Sequence, residues 1–270
     1  MFGQFETGLT TASLCLITIK GNAMKNCGLI LLVAVFATST ASAQWGTISG
    51  KIVVKGDLPK KTLRFQKGAA SKDAEVCSAT DVFNNDLLID EETKGVANCF
   101  VYLYKTPDDV NMEGVDKAAK VFFDQKNCLF TPHAMVVVAG QTIEVLNSDP
   151  VAHNTRVNGS NLQENLVVAG NTGKGKGVNI VTEEKERLPV PVVCDYHSKM
   201  KAYWLVVEHP YAAVTNEKGE FTIKNLPVGD HTFRVWHERC GWVERKFEVT
   251  VTKGGSEVPA LVVDVDKFEE

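Results

Sequence analysis

Residues 133–154 read HAMVVVAGQTIEVLNSDPVAHN. Apolar and β-branched runs on either side of Ala139–Gly140 read as two strands joined by a tight turn. The polar stretch carrying Asp149 and Pro150 ends the second strand just ahead of His153. The same period of two recurs in GTISGKIVVKG (46–56) and GVANCFVYLYK (95–105), where Ala97, Cys99, Val101 and Leu103 share one face. It continues through LPVPVVC (188–194), AYWLVVE (202–208), GEFTIKNLPVGDHTFRVWHE (219–238), KFEVTVTK (246–253) and ALVVDV (260–265), with Gly, Asn, Asp and Pro at the breaks. No long amphipathic helix interrupts the series. The expected class is therefore all-β, a Greek-key β-sandwich architecture.

The chain has 270 residues, 44% of them hydrophobic, and a formal net charge of −4. That balance lacks the basic excess that nucleic-acid binding requires, so no nucleic acid is expected as a partner. The segment MKNCGLILLVAVFATSTASAQ (24–44) combines Lys25, an apolar run from Leu29 to Phe36 and the small residues Ala41 and Ala43. It reads as a signal peptide cleaved after Ala43, with the start at Met24, which places the mature chain in the periplasm or outside the cell. The apolar run is too short to cross a bilayer, which takes about 20 residues. With that leader (1–43) set aside, the expected division is an N-terminal β segment (44–112), a central domain (113–207) and a C-terminal β domain (208–270). Two irregular stretches lie among the strands. KTPDDVNMEGVDKAAK (105–120) reads as a linker or one short helix. VAGNTGKGKGVNI (168–180) nearly spells a phosphate-binding loop, but Gly177 stands where a Ser or Thr would be needed and no strand-to-helix context surrounds it, so it reads as a hairpin loop.

Residues 193–200, VCDYHSKM, offer a thiolate at Cys194, an imidazole at His197 and a thioether at Met200. Soft sulfur mixed with imidazole suits copper, and a trigonal Cys and two-His site with a weak axial Met needs one more histidine from another strand. His153, 41 residues upstream, is the candidate. Zinc also accepts Cys and two His, but a thioether is a poor ligand for it.

On these residues the chain resembles the cupredoxins, the type 1 blue-copper proteins of the amicyanin and plastocyanin kind. The Cys-x2-His-x2-Met spacing is similar to that of the short-loop members, and AGQTIEVLNSDPVAHN (139–154) resembles their segment leading through a strand and an Asn to the first histidine. The resemblance spans roughly residues 118–207. It implies one copper ion held by His153, Cys194, His197 and Met200, an electron carrier rather than an enzyme, a redox partner protein, and electron exit by the edge of His197. Tyr196 departs from the pattern, since a Pro often stands before the second His. Its retained N–H could add a hydrogen bond to the Cys194 sulfur and raise the reduction potential.

VTNEKGEFTIKNLPVGDHTFRVWHE (214–238) resembles the transthyretin-like sandwich also called the carboxypeptidase regulatory-like domain, and the segments 46–56 and 95–105 resemble its opening strands. The resemblance implies a small β-sandwich split by the inserted copper domain, or two independent flanking domains. No paired carboxylates and no Ser, His and Asp grouping with catalytic spacing are present. Two rival functions stay open: a copper-binding or delivery protein without redox turnover, and an extracellular interaction module with a vestigial site. Beyond the leader's Cys15 and Cys27 the chain carries Cys77, Cys99, Cys128, Cys194 and Cys240. An odd number in an oxidising compartment leaves at least one thiol unpaired, which metal ligation of Cys194 would explain. The polar surroundings of Cys77 and Cys128 favour their pairing, although four cysteines allow three complete pairings. His133, His209, His231 and His237 have no ligand spacing among them and read as structural.

Overall fold

The computed structural model describes residues 45–70 and 72–268. The leader, its cleavage point and the choice of start lie outside them. The chain is nearly all β, in several sheets, and among the described residues no helix is long and apolar enough to cross a membrane.

The strand Trp45–Lys55 shows why the period of two builds this fold: Ile48, Ile52 and Val54 point inward while their neighbours are half-buried or exposed. It pairs antiparallel with Glu220–Pro227 and parallel with Ser256–Glu257 and Leu261–Asp264. A second sheet runs Ala212–Val214, Phe100–Leu103, Gly229–His237, Gly241–Val251. Both sheets thus combine a strand from before residue 104 with strands from after residue 211. Trp45–Lys55 and Gly229–His237 do not pair edge to edge; Ile48 and Ile52 meet Phe233 and Val235 across one shared core. At Gly219, with φ of 74°, a Cβ would meet the carbonyl oxygen of Ile52 at 2.3 Å and the Cα of Gly95 at 2.7 Å. The turn Asn216–Glu220 can therefore close onto the N-terminal segment only with glycine there.

The central residues form two more sheets. One has the order Gln163–Val168, His153–Asn158, Val190–Val193, Lys201–Val207, Ala134–Val138; the other has Val178–Val181, Thr142–Val145, Lys120–Lys126, Leu129–Thr131. Trp204, Phe123, Ile143, Val157, Val192 and Val206 fill the space between them, with the Phe123 ring 4.8 Å from Trp204 in an edge-on arrangement. Lys201–Val207 and Phe100–Leu103 are covered on both faces. Trp204 and Val206 face the central core while Tyr203, Leu205 and Val207 meet Phe100 and Tyr102 in a third core. This explains why Phe100–Leu103 is wholly buried, where alternation suggested one apolar face.

Residues 105–119 contain no helix and run as turns and irregular chain. The glycine-rich loop at 168–180 turns between two strands, and its amides serve an internal carboxylate: the N–H groups of Gly175 and Gly177 donate to Glu144 Oε1, at 2.5 and 3.2 Å. Cys77 and Cys128 form a disulfide, with their Cα atoms 4.9 Å apart. It ties a segment of the N-terminal region, comprising the short strands Leu63–Phe65 and Val82–Phe83 and the single helical turn Ala74–Cys77, onto the central core. Cys99 is buried, Cys240 half-buried, and both are free thiols.

Candidate metal centre

His153 is the first residue of its strand and follows a turn built around Asn147. That fully buried side chain donates to the carbonyls of Val151 and Val168, at 2.8 and 3.1 Å, and its Oδ1 accepts from the Asp149 N–H at 3.0 Å. Cys194 leaves the end of Val190–Val193, the strand paired to His153–Asn158 through Val192 opposite Val157 and Val193 opposite Arg156. One sheet therefore sets the separation of the two ligand segments. The loop from Cys194 to Met200 closes on itself, with Met200 N–H donating to His197 O at 2.8 Å and Cys194 N–H to Met200 O at 3.3 Å.

The structure brings His153, Cys194 and His197 together. The two histidine Nδ1 atoms are 2.9 Å apart and the Cys194 Sγ lies 3.8 Å from each. His153 is fully buried, Cys194 and Met200 nearly so, and His197 is 8% exposed. Met200 lies with Cys194 in the central core.

Each ring is oriented from its far side. His153 Nε2–H donates to Asp149 Oδ2 at 2.8 Å, and His197 Nε2–H to Asp73 Oδ2 at 2.8 Å. Asp149 also accepts from the Asn127 and Cys128 N–H groups, at 2.6 and 2.8 Å. Burial alone would push the Asp149 carboxyl up, but these bonds outweigh it and hold the carboxyl down. With both Nε2 positions donating, the two Nδ1 lone pairs face each other beside a sulfur. Such a pocket requires a cation between the rings, a proton or a metal ion. Burial lowers the His153 imidazole, but Asp149 and Cys194 outweigh it and raise it to about 9. The Cys194 thiol is pushed up by burial and pulled further down by the His153 ring and the backbone N–H groups of Asn154, His197 and Tyr196. Metal–nitrogen distances of about 2.0–2.1 Å and a metal–sulfur distance of about 2.3 Å in a trigonal plane put the donor atoms roughly 3.5–3.8 Å apart. The observed triangle meets that on its two sulfur sides and needs the rings to part by about 0.6 Å on the third. The residues present fit the ion.

Asn154 joins the two ligand segments. Its Oδ1 accepts from the Asp195 N–H at 2.7 Å and, more weakly, from Tyr196 at 3.4 Å, while its Nδ2 donates to Asp195 and Asn165. The Tyr196 amide is directed at Asn154, and its lowering effect on the Cys194 thiol is smaller than that of the Asn154 and His197 amides. The His197 edge, through which the resemblance implies electron exit, is covered by Asp73. In the sequence Asp149 is only a turn residue, although its i, i+4 spacing to His153 is a usable signal. For Asp73, 124 residues from its partner, no local pattern existed.

No protein-family model and no curated protein sequence matches this chain. Among solved structures, the similar proteins include a copper-containing nitrite reductase, a purple cupredoxin and amicyanin, each aligned with only part of this chain. A copper-containing nitrite reductase from Thermus scotoductus aligns at 19% identity and a TM-score of 0.29, over 38% of this chain and a quarter (25%) of the reductase. A purple cupredoxin from Nitrosopumilus maritimus aligns at 19% identity and 0.26, over 33% of this chain and 99% of its own. Amicyanin from Paracoccus versutus aligns at 14% identity and 0.28, over 40% and 97%.

Proposed function

We propose that this protein is an exported blue-copper protein that carries single electrons between redox partners. The observation behind this reading is the buried convergence of two histidine Nδ1 atoms and one cysteine Sγ, each imidazole fixed in the Nδ1-lone-pair tautomer by a carboxylate. His153, Cys194 and His197 would hold the ion, with the Met200 thioether as a weaker fourth ligand. Copper bound there would supply a one-electron couple between Cu(I) and Cu(II). The chain's own contribution is restraint: Asn154, Asp149 and the paired strands keep the donors in place in both oxidation states, so little rearrangement accompanies electron transfer.

The cover of Asp73 over the His197 edge lends weight to a second reading, copper binding or delivery without redox turnover. Voltammetry of the copper-loaded protein separates the two. A reversible one-electron wave at all practical scan rates supports the carrier. An irreversible wave, with release of the ion on reduction, contradicts it and favours delivery.

A further inference from the structure

The disulfide lies against the metal centre. Cys77 Sγ, Cys128 Sγ and a ring nitrogen of His197 fall within 4.8 Å of one another, all in buried residues. A cavity of about 220 Å³ opens beside them, lined by the disulfide, His197, Met200, Phe65, Ala70 and Lys72. Each cysteine is also held by contacts that do not involve the sulfur–sulfur bond. The Cys128 N–H donates to Asp149 at 2.8 Å, and the Cys77 N–H donates to the Asp73 carbonyl at 2.8 Å, Asp73 itself being bonded to His197.

We propose that reduction of Cys77–Cys128 creates a second site for a soft monovalent ion, Cu(I), made of the two thiolates at the floor of this cavity beside His197. In the disulfide neither sulfur is an effective ligand, because the thiolate is the binding form. A dithiol reductant supplies two electrons and two protons: the sulfur–sulfur bond breaks, two thiols form, and the reductant closes its own disulfide. Cu(I) then displaces the two thiol protons to solvent and is held between two sulfurs, the ligand type that selects it. Cα atoms 4.9 Å apart allow the two sulfurs to straddle one ion. Because His197 borders this set and the His153–Cys194 set alike, an ion captured at the cavity is one ligand away from the inner site. The inference goes beyond the carrier reading, since it requires none of that site's ligands.

The test is Cu(I) loading of the full protein without oxygen, against a competing Cu(I) chelator, before and after reduction by dithiothreitol and its removal. Wild type is expected to retain about one ion with the disulfide intact and about two after reduction. A Cys194→Ser variant, which removes the inner site's thiolate, is expected to gain about one ion on reduction. The Cys77→Ser/Cys128→Ser variant is expected not to change on reduction. Should that variant fail to fold, alkylation of reduced wild type decides: Cys77 and Cys128 are protected from iodoacetamide by Cu(I) and modified without it. Equal copper content of Cys194→Ser in both states, alkylation indifferent to Cu(I), or loss of near-ultraviolet circular dichroism on reduction would each overturn the proposal. An empty disulfide form of wild type beside a gain of one ion on reduction would sink the carrier reading and leave this inference standing.

Discussion

Asp149 aims the ring of His153 from its far side and anchors the turn at Asn127–Cys128. Removing such a carboxylate frees the imidazole to rotate and change tautomer, so Asp149→Asn should weaken copper binding by about 10–100-fold in a competition titration. Tyr196 is the residue at which the loop departs from the cupredoxin pattern. Its N–H adds to the field on the Cys194 sulfur, so Tyr196→Pro should lower the reduction potential; an unchanged or higher potential would mean that the amide serves Asn154 alone. His237 is buried, and that burial, with His133 nearby, lowers its imidazole to about 3. The folded state therefore prefers the neutral ring, and the unfolded chain takes up a proton below about 6.5. The stability this residue contributes is complete above that pH and is lost as pH falls toward 3, at up to about 1.4 kcal/mol per pH unit. Denaturant titrations across that range should show a shallower loss in His237→Phe. At this scale Cys194, His197 and Met200 stood out as candidates because their spacing is local, and His153, 41 residues upstream, because it follows a strand and a turn of its own. Asp73 did not, because only tertiary folding places it at His197.

Alternation identified most strands, since one buried face leaves a period of two in the sequence. It was less informative for Phe100–Leu103 and Lys201–Val207, which lie between two cores and bury both faces. It gave no sign of Leu63–Phe65, Val82–Phe83 or the helical turn Ala74–Cys77, short and polar pieces held by the disulfide and by Asp73. The turn at Gly219 carries an element-scale prediction. Gly219→Ala combines a positive φ with contact against Ile52 and Gly95 backbone, so it should cost about 1–3 kcal/mol in denaturant unfolding. A cost near zero would show that the turn can move off the N-terminal segment.

Across the whole molecule, chain order and spatial order differ. Residues 45–55 and 100–103 complete sheets with residues beyond 211, while the ligand-bearing strands lie between them in sequence. The copper candidate draws its donors from that central part and the cover of His197 from the N-terminal segment, so ligand geometry depends on the fold being complete. The sheets and the meeting of His153, Cys194 and His197 could be anticipated from the sequence; the Asp73 cover and the disulfide's place beside His197 required the assembled chain. The most direct measurement is the visible spectrum of the purified protein on addition of Cu(II), alongside that of Cys194→Ser. The account predicts an intense thiolate-to-copper charge-transfer band that saturates at about one ion per chain and is absent from the variant. A colourless wild-type protein, or a band that survives Cys194→Ser, would contradict it.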